Sequence, residues 1–162
     1  MLLLGCGTRK NQTVAVEIPV PHINCPKGGD CTFEVLRDTE LQLAYDALGD
    51  LNPKIIPGKK AVVRYHFKKD EVPGTADSSH SEYLLFEFDP EVDQLILRDE
   101  ELQQVKMVYG RICFCRGSMG YFKVTDGNLF LFNKNRELQL RSVFHVNKIP
   151  QIIEEIDERI RY

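Results

Sequence analysis

The sequence predicts a mainly β fold, an antiparallel β-sandwich or barrel of about nine strands with one C-terminal amphipathic α-helix. Three observations carry this. Ala61, Val63, Tyr65 and Phe67 share one face of a strand, with Lys60, Arg64, His66 and Lys68, along with Val62, on the other. That alternation is what a half-buried antiparallel strand requires. Residues 107–132 hold a dense run of strand-forming residues around Cys113-Phe-Cys115-Arg-Gly, which reads as the sheet centre. Ile149, Ile152, Ile153, Ile156 and Ile160 recur at helical spacing near the end of the chain.

The elements follow in order. Met1-Leu-Leu-Leu-Gly-Cys6 has a lipobox-like pattern, and Gly7 to Thr13 is a polar, flexible run that reads as a tether. Residues 1–13 are therefore expected to be a truncated signal and tether, and residues 14–162 a single β-rich domain. Val14 to Val20 alternates weakly, as a first strand would. Cys25-Pro-Lys-Gly-Gly-Asp-Cys31 is a tight turn, because Pro and paired Gly punctuate the chain. Cys31, Phe33 and Val35 then share a strand face, and Leu41, Leu43 and Tyr45 continue with the same period. Asp46 to Asp50 turns the chain. Leu51 to Ile56 is a short strand between prolines, followed by the strand over 60–69. Glu71 to Ser81 is a loop, Tyr83 to Asp89 resumes the sheet, and Asp93 to Arg98 is short.

Asp99 to Val105 suits one or two helical turns, with Asp99 as the cap. In the central segment, period two places Cys113 and Cys115 on one face. Asp126-Gly127 between apolar runs is a hairpin signal. Glu137 to Val146 alternates cleanly, and Pro150 suits the first turn of the final helix.

With 162 residues the chain is long enough for one proper core. Net charge is −3, so no global basic field favours nucleic acid, and none is expected as a partner. No apolar stretch is long enough to span a bilayer.

The cysteines carry the most chemistry. If Cys6 is lipidated, Cys25, Cys31, Cys113 and Cys115 remain, an even number that in an exported chain suggests two disulfides. A Cys25–Cys31 bond would close a small turn, worth about 2–2.5 kcal/mol. A Cys113–Cys115 bond would be strained on a regular strand. Cross-pairing avoids that strain and closes loops of about 80 residues, worth about 4–5 kcal/mol each. It is the preferred arrangement, with the pairing left open. Zinc on these four cysteines is the sharper alternative, but Cys-x5-Cys with Cys-x-Cys departs from the usual spacing.

Other residues give less. His22, His66, His80 and His145 are scattered, without metalloprotease spacing, and read as ordinary exposed histidines. Ser118 in Arg116-Gly-Ser-Met-Gly120 resembles a nucleophile elbow that lacks its first glycine and its helix. Asp77, Ser78, Ser79 and His80 are neighbours in sequence, which does not make their side chains converge. The acids at Asp89, Glu91, Asp93 and 99–101 lack the glycine and spacing of a calcium loop. Catalytic residues, metal ligands and cofactors are thus expected to be none.

Leu-Leu-Gly-Cys6, Cys31-Thr-Phe-Glu, Cys113-Phe-Cys-Arg-Gly with Gly120-Tyr-Phe-Lys, and the closing Ile-Pro-Gln-Ile-Ile resemble small uncharacterised lipoproteins of Bacteroidota-type bacteria. The resemblance implies a cell-envelope location and transfers no activity. The expectation is a lipid-anchored envelope β domain, at the outer membrane, with a binding or structural role. Its contacts would be the membrane through the lipid and a protein or small-molecule partner that the sequence does not identify. The alternatives are an envelope hydrolase with a cleft site and a cysteine-based metal-binding protein. Without lipidation at Cys6, the address would be a soluble cytoplasmic one.

Overall fold

A computed structural model describes residues 25–75, 77–147 and 149–162. The Cys6 lipobox, the tether and the strand expected over Val14 to Val20 lie outside the described residues. Among the described residues nine strands run in chain order: β1 (Gly29–Tyr45), β2 (Leu51–Lys69), β3 (His80–Phe88), β4 (Gln94–Arg98), β5 (Val108–Cys113), β6 (Gly120–Lys123), β7 (Gly127–Lys134), β8 (Glu137–Phe144) and β9 (Glu155–Arg161). A 3-10 helix occupies Asp99–Val105. One antiparallel sheet has the order β1-β2-β3-β5-β6 and the other β4-β7-β8-β9.

Both sheets contribute to one core. Val63, Tyr65, Phe67, Leu84 and Phe86 of the first sheet pack in a cluster with Leu129, Leu131, Leu138, Leu140 and Ile156 of the second. The alternation over 60–69 thus has a packing cause, since its even-numbered neighbours leave that core. Val62 instead joins Leu41, Leu85 and Val108 in a second cluster on the opposite face of the first sheet. The distal half of the β1–β2 hairpin covers this face. The register shifts around Thr39, opposite Pro57 and Lys60, and Asp38 there has φ 55°. A bulge of this kind bends a hairpin. It lets the two expected pairs of strands, 31–35 with 41–45 and 51–56 with 60–69, run on as continuous β1 and β2. The far end of β2 then reaches β6, where Leu51 pairs with Tyr121.

Glu87 holds that folded hairpin. Its buried carboxylate accepts from Leu41 N at 2.7 Å and Lys60 Nζ at 2.5 Å, and it pairs with Lys106 Nζ at 2.9 Å. Lys106 also donates to Leu41 O at 2.8 Å. Burial alone would push the Glu87 pKa up. The Lys60 bond, the Leu41 N–H and Lys106 outweigh it and hold the carboxyl below its ordinary value.

Three expectations are corrected. The C-terminal helix is absent, and β9 pairs with β8 from Val143↔Glu155 to Glu137↔Arg161. β8 offers a row of backbone groups that a helix could not satisfy, and β-branched isoleucine favours a strand over a helix. Ile149, Ile152 and Ile153 of the stripe lie in the connector before β9, where Ile153 is fully buried. The Asp126-Gly127 hairpin is also absent. β6 and β7 belong to different sheets, and Gly127, at φ 138°, carries the chain between them. A Cβ there would lie 2.3 Å from Val143 O. Finally, Asp99 does not cap the 3-10 helix, since its carboxylate accepts from Gly127 N at 3.1 Å. Arg98 is the cap residue, and its backbone N–H is held by Glu101 at 3.1 Å.

Candidate functional site

Among the described residues, His80, Cys113 and Cys115 group at one end of β3 and β5. The register pairs His80 with Cys113 and Glu82 with Arg111. His80 and Glu82 are two apart on β3, so they share a face. It is the face on which Leu84, Phe86 and Phe88 enter the main core. His80 Nε2 lies 2.9 Å from Glu82 Oε1. The His80 side chain is 12% exposed and that of Glu82 is fully buried.

Glu82 is compensated by backbone. Ile152 N donates to its two oxygens at 3.1 and 2.9 Å, and Ile153 N donates at 2.8 Å. A buried carboxylate is costly unless its lone pairs are used in this way. The connector before β9 is thereby tied to β3. Arg111 reinforces it by donating from Nη1 to Pro150 O at 2.8 Å. Tyr109 is buried on the same face, and burial, followed by the nearby Glu82 charge, pushes its phenol pKa up.

Cys113 ends β5, and the chain bends at Phe114, which is 83% exposed. Cys115 therefore leaves the strand. Its Cα is 5.2 Å from that of Cys113, and the two are joined as a disulfide. Two residues apart on a regular strand would be about 6.6 Å. The bend thus supplies the approach that period-two reasoning counts against. The ligand atoms of His80, Cys113 and Cys115 all lie within 4.8 Å of one another.

Cys25 is bonded to Cys31 with a Cα separation of 5.7 Å. Tyr65 Oη lies 2.9 Å from Cys31 Sγ. The preferred cross-pairing is thus corrected. Cys31 pairs with Phe67, Phe67 with Glu82, and Glu82 with Arg111. Cys31 and β5 are therefore three strand spacings apart, about 14 Å, beyond any disulfide. The same distance keeps the four cysteines from meeting at one zinc ion.

The remaining sequence candidates do not converge. Ser118 lies in the turn between β5 and β6, where its backbone N donates to Cys115 O at 3.3 Å. Ser78 Oγ donates to Thr75 O at 3.2 Å. His66, expected at the solvent, stacks on Tyr83 with ring centroids 4.3 Å apart. Burial first, then Arg64, lowers its pKa. A cavity of about 520 Å³ is lined by Asp93, Phe132, Lys134, Glu137 and Arg161 among others, and by none of the His80 cluster.

Sequence reasoning missed His80 and Glu82. The signal is present, since His-x-Glu on a strand puts both side chains on one face, but the loop expected over Glu71 to Ser81 takes in His80 and stops short of Glu82. Comparison with protein families, curated proteins and solved structures gives no match to this chain.

Proposed function

We propose that this chain is a lipid-anchored cell-envelope domain with a β-sandwich architecture and a binding or structural role. The observation that carries the reading is the use of Cys25, Cys31, Cys113 and Cys115 in two local disulfides. Such bonds persist in oxidising compartments and are rare in the cytosol. Leu-Leu-Gly-Cys6 and the polar run after it supply the anchor. A single acyl chain binds a membrane marginally, whereas two or more hold stably, as a bacterial lipoprotein would.

The test is expression with the natural upstream region in a bacterial host, followed by fractionation. Membrane association that Cys6→Ser abolishes supports the reading, together with two disulfides in mass spectra of non-reduced digests. An unmodified protein with free thiols, recovered in the cytosol, sinks it.

A further inference from the structure

We propose that Cys113, Cys115 and His80 form a binding site for one Cu(I) ion when the Cys113–Cys115 disulfide is reduced. The two sulfurs and one imidazole nitrogen are already gathered, all within 4.8 Å. They are placed by the fold and not by a floppy loop alone. His80 and Cys113 are register partners across β3 and β5, and the bend at Phe114 returns Cys115 to them.

The second observation is the fixed histidine. Glu82 is fully buried and engages His80 Nε2, while Ile152 and Ile153 hold Glu82 by their backbone N–H groups. A carboxylate on one ring nitrogen is how proteins orient a metal-binding imidazole and raise its donor strength.

Donor chemistry selects the cation. Two thiolates and one imidazole are soft to borderline ligands, which favour Cu(I) and Zn(II) over hard cations. A structural zinc site is closed by four protein ligands, and a set of two cysteines and one histidine holds zinc only with a water or substrate in the fourth position. Among the described residues the cluster contains three, a set suited to three-coordinate Cu(I).

The step balances as follows. An external dithiol reductant gives two electrons and two protons to the Cys113–Cys115 bond, which breaks, and the reductant becomes its own disulfide. Cu(I) then displaces the two thiol protons to solvent. The disulfide form has no thiolate to offer, so binding is gated by oxidation state. This proposal holds whether or not the domain is anchored, and its test is separate from fractionation.

The experiment titrates the full chain carrying Cys6→Ser, reduced and desalted without oxygen, with Cu(I) against a chromophoric Cu(I) chelator. One equivalent is expected to be withdrawn from the chelator. The ion should be lost on reoxidation. Binding should weaken at least tenfold in His80→Ala and in Cys115→Ser, and be kept in Cys31→Ser. Circular dichroism confirms that each variant is folded. Failure of the reduced protein to compete for Cu(I) overturns the proposal. So does uptake that His80→Ala leaves unchanged, or uptake that is lost in Cys31→Ser.

Discussion

Glu82 accepts a hydrogen bond from Ile153 N at 2.8 Å across 71 residues of sequence, in the buried interior. This single carboxylate joins β3 to the connector that delivers β9. Replacing it by Leu would leave the Ile152 and Ile153 N–H groups without their acceptor. An unsatisfied buried group costs about 1–3 kcal/mol, so Glu82→Leu is expected to destabilise the domain by about 2–5 kcal/mol. Urea denaturation checks this, and an unchanged midpoint would show that the connector is held by something else.

The terminal strand is expected to be part of the core. Ile156 is fully buried and faces Ser142 of β8. An unpaired charge there is strongly unfavourable, so Ile156→Asp should cost several kcal/mol, about 3–5 by the rule for severe core lesions. Removal of the residues from Pro150 onward should lower the melting temperature as well. A truncated protein melting with the full chain would make β9 a dispensable edge.

Acid should weaken the fold in two stages. His66 has a lowered folded pKa. Above its ordinary value of 6.5 it is neutral in both states and stability is full. Below that pH the unfolded chain takes up the proton first, so stability falls until folded His66 also titrates. His66→Phe keeps the stack on Tyr83 and should flatten this part of a melting profile. A slope that persists in the variant would place its origin elsewhere.

Glu87 supplies the second stage. Its folded pKa is also lowered, so its contribution is present above the ordinary carboxyl value of 4.5 and is lost as pH falls through the folded pKa. Glu87→Gln should cost about 1–3 kcal/mol at neutral pH and remove the loss below 4.5. Amide exchange at Leu41 gives a local reading, because Leu41 N donates to Glu87. An exchange rate unaltered by Glu87→Gln would contradict the account of the folded hairpin.

The Cys25–Cys31 bond closes a short loop, and chain entropy gives such a loop about 2 kcal/mol. The double variant Cys25→Ser with Cys31→Ser should lose about that much in chemical denaturation. A loss near 5 kcal/mol would fit the long-range pairing that the strand register excludes.

Strand character over most of the described chain is legible from the residues alone. Alternation over Ala61 to Phe67 and over Leu138 to Phe144 was legible because burial of one sheet face repeats every two residues. The sequence also marked the Asp99–Val105 turns and the turn over Asp46 to Asp50. The β7–β8 hairpin was harder to see, because Asn135 and Arg136 both take positive φ, at 54° and 60°. That turn usually carries glycine at its second position, and Arg136 hid it.

Tertiary structure decided the rest. The isoleucines over 149–160 satisfy helical spacing, yet the open edge of β8 made a strand of residues 155–161. Backbone hydrogen bonds offered by a neighbour outweigh a local period, since a short helix is marginal without packing. The disulfide pairing was likewise invisible, because it depends on how many strands separate β1 from β5. His80, Glu82 and Cys113 became a site only when β3 and β5 were laid side by side. Pairing between distant strands is a property of register, which no single stretch of sequence contains.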